Sequence, residues 1–302
     1  MKWRMMKRRF FVGLLLGITV GCNPRNQNAG SGLLTSGTDL KTPLKFAVSD
    51  VQGLAALQRD YEPFRAALAA SLGRTVEFYP VDGYTAVAAP LQSGELDIAL
   101  IGPSEYVLLR ARTNAIPAIG ISRPGYYSAI AIRSDSSIQS VADLKGKTIA
   151  MYQVGSTSGH LGPTHILVEA GLNPKTDYQV QMLGREGSFA ALRNGEVDAW
   201  AGPAGDYQKY LQNAQSSGVT FPLLEKGPPL PSDTLIVSSR MKPETIAQLR
   251  DRILVNGESL VAALGSTPEN FKYQQSTLVP VEDSNYDSIR EVYRAIGEGN
   301  FL

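Results

Sequence analysis

Cysteine and histidine are scarce in this chain of 302 residues, which holds one cysteine, Cys22, and two histidines, His160 and His165. A single thiol cannot form an internal disulfide, and the histidines lack the H-E-x-x-H arrangement of a metalloprotease. The sequence also lacks a P-loop and a dinucleotide fingerprint. We therefore expect no metal and no cofactor.

An excess of positive charge is absent as well. The formal net charge is +1, and loss of residues 1–21, which hold five positive side chains and no acidic ones, would change it to −4. A mildly acidic protein has no general attraction for nucleic acid. We therefore expect no nucleic-acid partner, and any bound anion must be held by a local site.

The N-terminus has the layout of a secretory signal over residues 1–21, with a positive leader and then a largely apolar run from Phe10 to Val20. This run is roughly half the length of about 20 residues that a spanning helix needs. The sequence from Thr19 to Cys22 resembles the lipobox of bacterial lipoproteins, with Thr19 in place of the usual leucine, and predicts acylation of Cys22. An ordinary secretory signal that contains a cysteine is the alternative. Residues 22–42 are predicted to form a lipidated, flexible tether.

From about residue 43, strand and helix patterns alternate, which predicts an α/β protein with largely parallel sheets. The order of elements indicates a first lobe of residues 43–130 plus 237–302 and a second lobe of residues 131–236. Two crossings between the lobes would make a hinge. Ligands of such sheets bind beyond the carboxyl ends of the strands, which places the expected site in a cleft between the lobes.

The most informative segment runs from Gly155 to His160, after a predicted strand and at the start of a predicted helix. Its glycines permit a tight turn, and the hydroxyls of Ser156, Thr157 and Ser158 lie beside the free N–H groups of a helix N-terminus. This arrangement favours a small oxyanion. Simple helix capping by one of the hydroxyls is the alternative.

Other polar residues at the ends of predicted elements are candidates for the same pocket: Tyr84, Tyr126, Arg185, Asp206 and Asp233. Each has an ordinary structural alternative, as a packing tyrosine, a solvated arginine, or an aspartate in a cap or turn. A hydrolase built from Ser158, His160 and Asp206 is also conceivable. However, the residue in the middle of Gly155 to Gly159 is threonine, so the G-x-S-x-G nucleophile elbow is not matched.

Seven short motifs between about Leu44 and Ile296 form a recognisable set. They are Asp82 to Tyr84, Ser93 to Ala99 followed by Gly102 and Pro103, Gly125 to Ser128, Ser156 to Gly159, Leu192 to Ala199, Pro231 to Asp233, and Tyr286 to Arg290. With these motifs the chain resembles the periplasmic phosphonate-binding proteins of ABC transporters and their phosphite- and phosphate-binding relatives. The resemblance implies an α/β, two-lobed periplasmic-binding-protein fold of type II, with a hinge of two crossing strands and no catalytic activity.

The resemblance also implies roles for the candidate residues. The hydroxyls of residues 156–158 would hold the phosphorus-bound oxygens, and Tyr84 and Tyr126 match the pocket tyrosines of the family. Asp233 matches a carboxylate that faces the ammonium group in aminoalkylphosphonate binders.

Two departures from the family pattern bear on the ligand. Arg185 stands where a histidine is usual, and the acidic residue expected after the strand at Val197 is absent or displaced to Asp206. Both departures weaken the case for 2-aminoethylphosphonate, because an ammonium needs carboxylate partners. They favour a compact anion, since Arg185 could pair with an oxyanion and Asp206 could accept a proton from the ligand.

We therefore expect an extracytoplasmic lipoprotein that captures phosphite first, then methylphosphonate or another phosphonate, and phosphate. It would serve an ABC permease and its ATPase as a monomer, in the periplasm or on the outer face of the cytoplasmic membrane. The alternatives are a ligand-sensing domain for a signalling partner and a lipoprotein hydrolase.

Overall fold

The computed structural model describes residues 42–51, 53–213 and 218–301. The predicted signal peptide, Cys22 and the predicted tether up to residue 41 lie outside these ranges. Among the described residues, no helix combines the length and the apolar character that crossing a membrane requires.

The strands of the described residues form two sheets. The first sheet has the order β11-β4-β10-β3-β1-β2 and the second has the order β7-β6-β8-β5-β9. In chain order the strands are β1 (Leu44–Val48), β2 (Val76–Phe78), β3 (Ile98–Ile101), β4 (Ile116–Ile121), β5 (Tyr127–Ile132), β6 (Thr148–Met151), β7 (Gln179–Met182), β8 (Ala199–Pro203), β9 (Leu223–Pro229), β10 (Asp233–Val237) and β11 (Leu278–Val279).

Helices cover both faces of the sheets. They are α1 (Leu54–Leu72), α2 (Ala88–Ser93), α3 (Pro103–Thr113), α4 (Gly162–Glu169), α5 (Gly184–Asn194), α6 (Ala204–Asn213), α7 (Pro243–Val255), α8 (Gly257–Leu264) and α9 (Asp287–Ile296). A wider helical turn, Thr157–Leu161, leads directly into α4. The helix predicted to start at the Gly155–His160 segment is thus present as two consecutive pieces.

Each sheet is mixed, whereas the sequence predicted largely parallel pairing. In the first sheet β1 pairs in parallel with β2 and β3, and in the second β6 pairs in parallel with β7 and β8. The strands that follow the two crossings, β5 and β10, pair antiparallel with both of their neighbours. The first strand after each crossing therefore runs opposite to both strands with which it pairs.

The predicted lobe boundaries differ from the sheet boundaries by a few residues. The first predicted boundary, after residue 130, falls inside β5, and the second, after residue 236, falls inside β10. Because a strand pairs as one unit, all of β5 belongs to the second sheet and all of β10 to the first. The connections between the sheets are residues 122–126 and 230–232.

Successive side chains of a strand point to opposite faces of the sheet, and the buried ones form an apolar core on each face. In β3, Ile98 and Leu100 pack on the face covered by α1, α7 and α8, and Ala99 and Ile101 pack on the face covered by α2, α3 and α9. The second sheet is likewise covered on both faces. The two layers of helices fix the strand ends, from which the loops of the site emerge.

Leu161 links the two sheets. It ends the turn that precedes α4, yet its fully buried side chain belongs to the same apolar cluster as Ile289 and Val292 of α9, on the first sheet. The helical segment that follows β6 of the second sheet is therefore anchored in the core of the first sheet.

Replacing Leu161 by alanine should lower the free energy of unfolding by about 2–5 kcal/mol, because a buried side chain is removed and a cavity remains. Chemical denaturation measures this change. Val255→Ala is the control, since Val255 is 84% exposed and its truncation should change the free energy by less than about 0.5 kcal/mol. An equally small loss for Leu161→Ala would contradict the anchoring role.

Candidate functional site

A cavity of about 520 Å³ lies where the carboxyl ends of β1 and β3 meet the loop of residues 155–159, here called the hydroxyl loop. Ser49 follows β1 and Gly102 follows β3, while Ser156 and Thr157 line the cavity from the hydroxyl loop. The cavity therefore lies beyond the strand ends, in the position where α/β proteins bind ligands.

The hydroxyl loop turns tightly and presents Ser156 and Thr157 to the cavity. Gly155 has a φ of +81°, a conformation that glycine adopts without steric cost. The Ser156 hydroxyl accepts a hydrogen bond of 3.2 Å from the N–H of Gly159 and so caps the following turn. Ser156 therefore caps the helical turn and also lines the cavity, so helix capping and anion binding would use the same residue.

Thr157 joins the hydroxyl loop to the first turn of α3. Its hydroxyl donates to Oγ of Ser104 at 3.0 Å and accepts from the N–H of Ser104 at 3.1 Å. Both side chains are buried. Two hydroxyls and the N-terminal turns of two helical segments therefore meet at one wall of the cavity.

Tyr126 and Ser158 lie beside this wall. Tyr126 lines the cavity, and the side chains of Ser158 and Thr157 lie next to its phenol oxygen. Burial raises the pKa of Tyr126, so the phenol stays protonated. Ser158 is buried behind the wall, where its carbonyl accepts a hydrogen bond of 3.0 Å from Ser128.

A cation that the sequence analysis missed, Arg123, lies at the same cavity. Its guanidinium stacks on the ring of Tyr126 at 3.6 Å and pairs with Asp233 at 3.5 Å. Asp233, which is 3% exposed, also accepts a 2.7 Å hydrogen bond from Tyr273. The position of Arg123, three residues before a predicted pocket tyrosine, is the signal that could have identified it.

His160 contributes a neutral donor. Its Nδ1 accepts a hydrogen bond of 3.1 Å from the N–H of Gly155, which leaves the proton on Nε2. Burial lowers the pKa of His160, so the imidazole stays uncharged near neutral pH. His160 lines the cavity and adds a hydrogen-bond donor without adding a charge.

Glu105 also lines the cavity and was not predicted. Its carboxylate accepts hydrogen bonds from the Ser49 hydroxyl and, at 3.1 Å, from the N–H of Gly102. Burial raises its pKa from 4.5 to about 7, with a smaller contribution from the charge of Asp50. The pocket therefore contains an acid that carries its proton in part at neutral pH.

The remaining predicted residues lie elsewhere or are not fully described. Tyr84 begins a short helical turn, Tyr84–Val87, and its side chain lies outside the described part of the structure. Arg185 and Asp206, in the first turns of α5 and α6, do not line this cavity. Arg185 instead donates to Asp206 at 2.5 Å, and the Tyr152 hydroxyl donates to the same carboxylate at 2.8 Å.

Two mixed β-sheets covered by helices, two connections between them and a polar cavity at the strand ends define a two-lobed solute-binding protein. PhnD1 from Prochlorococcus marinus, solved in complex with methylphosphonate, shares the fold with a TM-score of 0.60 and 20% sequence identity. The similarity covers 86% of this chain and 100% of that chain. The predicted type II periplasmic-binding-protein fold is confirmed.

Residues 46–286 match the family of periplasmic substrate-binding proteins of phosphonate ABC transporters, and the chain belongs to this family. The phosphate-import protein PhnD of Mycolicibacterium smegmatis is 25% identical, over 84% of this chain and 86% of its own. The phosphonates-binding periplasmic protein of Escherichia coli is 22% identical, over 72% of this chain and 67% of its own. Family membership confirms the prediction of a binding protein and not an enzyme.

Replacing Glu105 by glutamine should change how stability depends on pH. Because the folded protein holds the Glu105 proton more tightly than the unfolded chain, this group contributes stability that is fully present below pH 4.5 and is lost as the pH rises through about 7. Urea denaturation between about pH 4 and about pH 9 should show the wild type losing stability relative to Glu105→Gln across this window. A difference that is constant with pH would contradict the raised pKa.

Proposed function

We propose that this periplasmic binding protein captures a small phosphorus oxyanion, with phosphite as its first ligand and methylphosphonate, other phosphonates and phosphate after it. The observation that carries the proposal is the convergence of Ser156, Thr157, Tyr126 and the guanidinium of Arg123 on one cavity. A tetrahedral oxyanion presents several acceptor oxygens, which need donors from more than one direction.

The proposed site extends the predicted one by a cation. Ser156 and Thr157 with the nearby N–H groups would hold the oxygens, together with Tyr126, whereas Ser158 would support them from behind the wall. Tyr84 stays a proposed pocket tyrosine, and Asp233 would orient Arg123. Arg123 takes the role that the sequence assigned to Arg185, because Arg123 lines the cavity and is oriented by Tyr126, whereas Arg185 does not line the cavity. A guanidinium fixed in this way forms strong, charge-assisted hydrogen bonds with an oxyanion.

Phosphite and phosphonates have three oxygens and one substituent that forms no hydrogen bond. The cavity is also lined by Leu108 and Ile296, beside which the P–H or P–C group can lie. A fourth oxygen placed there would lack a partner, at a cost of about 1–3 kcal/mol. This cost ranks phosphate below phosphite.

The permease and its ATPase would receive the ligand from the closed form of the protein, and closure requires a hinge between the two sheets. We propose that residues 122–126 and 230–232 act as a hinge that closes the lobes on the ligand. Cys22 would carry a lipid anchor and residues 23–42 would let the monomeric binding protein reach the permease from the outer face of the cytoplasmic membrane.

The double variant Ser156→Ala with Thr157→Ala should abolish detectable binding of phosphite and methylphosphonate in titration calorimetry, because two donors are lost at the centre of the site. Loss of the cap costs about 0.5–2 kcal/mol, so the fold should persist. Ser266→Ala with Thr176→Ala removes two exposed hydroxyls outside the cavity and should bind as the wild type does. Unchanged binding by the first double variant would show that the pocket is wrongly assigned.

Neutral variants of two arginines test which cation binds the ligand: Arg185, which the sequence predicted, or Arg123, which lines the cavity. Arg123→Gln should weaken phosphite binding by about tenfold or more, since a charge-assisted hydrogen bond contributes about 1.5–3 kcal/mol. Arg185→Gln should change the dissociation constant by less than about twofold, because Arg185 does not line the cavity. The opposite ranking in calorimetry would return the role to Arg185.

A further inference from the structure

The sequence motif from Tyr286 to Arg290 has no role in the site described above. Tyr286 does not line the ligand cavity, yet its side chain is fully buried. Its ring centroid lies 4.3 Å from that of Tyr106 on α3, and the Tyr106 hydroxyl donates to Asp283 at 2.6 Å. Because Asp283 and Tyr286 belong to one short helical turn, α3 holds this turn in place. A buried tyrosine hydroxyl usually finds a hydrogen-bond partner, and that partner indicates the role of Tyr286.

The partner of Tyr286 is the second connection between the sheets. Its hydroxyl donates a hydrogen bond of 3.1 Å to the carbonyl oxygen of Ser232, and the Thr234 side chain lies next to the phenol oxygen. Burial raises the pKa of Tyr286, so the phenol stays protonated and can donate. Ser232 and Thr234 flank Asp233 in the chain. Tyr286 therefore contacts the residues on both sides of the carboxylate that pairs with Arg123.

The second connection is in turn tied to the first. Asp233 pairs with Arg123 at 3.5 Å, and the N–H of Leu230 donates to the carbonyl oxygen of Tyr126 at 3.0 Å. Tyr273 holds the Asp233 carboxylate itself, whereas Tyr286 holds the backbone beside it. A shift of this backbone would move Asp233 and would change the direction of the Arg123 guanidinium in the ligand cavity.

Packing alone does not fix the second connection. A separate cavity of about 360 Å³ lies beside it, lined by residues 229–232, by residues 279–281 at the end of β11, and by Asn285, Tyr286 and Ser288. A backbone segment that borders a cavity lacks the close contacts of a packed core on that side. Its position therefore depends on individual hydrogen bonds, of which the bond from Tyr286 is one.

We propose that Tyr286 is a positioning residue for ligand capture: by holding the Ser232 carbonyl it sets the place of Asp233, and through Asp233 the direction of Arg123. Tyr286 acts on affinity without touching the ligand. The proposal rests on the proposed function, in which Arg123 binds the oxyanion.

Titration calorimetry of Tyr286→Phe with phosphite tests this role. The variant keeps the ring against Tyr106 and removes the bond to Ser232, so binding should weaken by about fivefold, which corresponds to about 1 kcal/mol. Tyr207→Phe is the matched control, because Tyr207 is also buried and donates to a carbonyl oxygen, that of Phe221 at 2.8 Å, away from the ligand cavity. The control should change the dissociation constant by less than about twofold.

A double variant distinguishes positioning from a general loss of stability. If Tyr286 acts through Arg123, Arg123→Gln with Tyr286→Phe should bind phosphite within about twofold of Arg123→Gln alone. Effects that multiply would overturn the route through Arg123. Wild-type affinity for phosphite in Tyr286→Phe would overturn the positioning role and leave the proposed function intact. Absence of heat when the wild type is titrated with phosphite and with methylphosphonate would overturn both.

Discussion

The bond between Thr157 and Ser104 is the contact on which the site depends. It joins a loop that follows a strand of the second sheet to the head of a helix that follows a strand of the first. Both hydroxyls are buried, and buried polar groups are stable only when they are hydrogen-bonded. The same pairing holds the donors of the hydroxyl loop beside those at the start of α3. Recognition of an anion therefore needs little rearrangement of the backbone around these donors.

The charges around this point are balanced and not simply positive. Arg123 is paired with Asp233, His160 is neutral, and burial of Glu105 favours its protonated form. A strongly positive pocket would bind any small anion, whereas a balanced one discriminates by the number and direction of hydrogen bonds. The resulting selectivity depends on shape and protonation more than on total charge.

Local patterns allowed much of the fold to be predicted. Alternation of short apolar strands with helices identified the α/β class, and the run from Gly155 to His160 identified the hydroxyl loop because its glycines and hydroxyls are contiguous. Strand β9 went unrecognised, since its exposed and half-buried residues and its prolines lack the alternation of a core strand. The pairing of Arg185 with Asp206 and the place of Arg123 depend on contacts between distant segments, which spacing alone does not specify.

Burial of Leu161 in the core of the first sheet restricts how the two sheets can move relative to each other. A rigid rotation that pulled α4 away from α9 would expose a fully buried leucine and the apolar side chains around it. A rotation of the lobes that kept this cluster intact would therefore turn about an axis close to Leu161. The hydroxyl loop lies only a few residues from Leu161, so its donors would move little in such a rotation, and a ligand would meet them already in position.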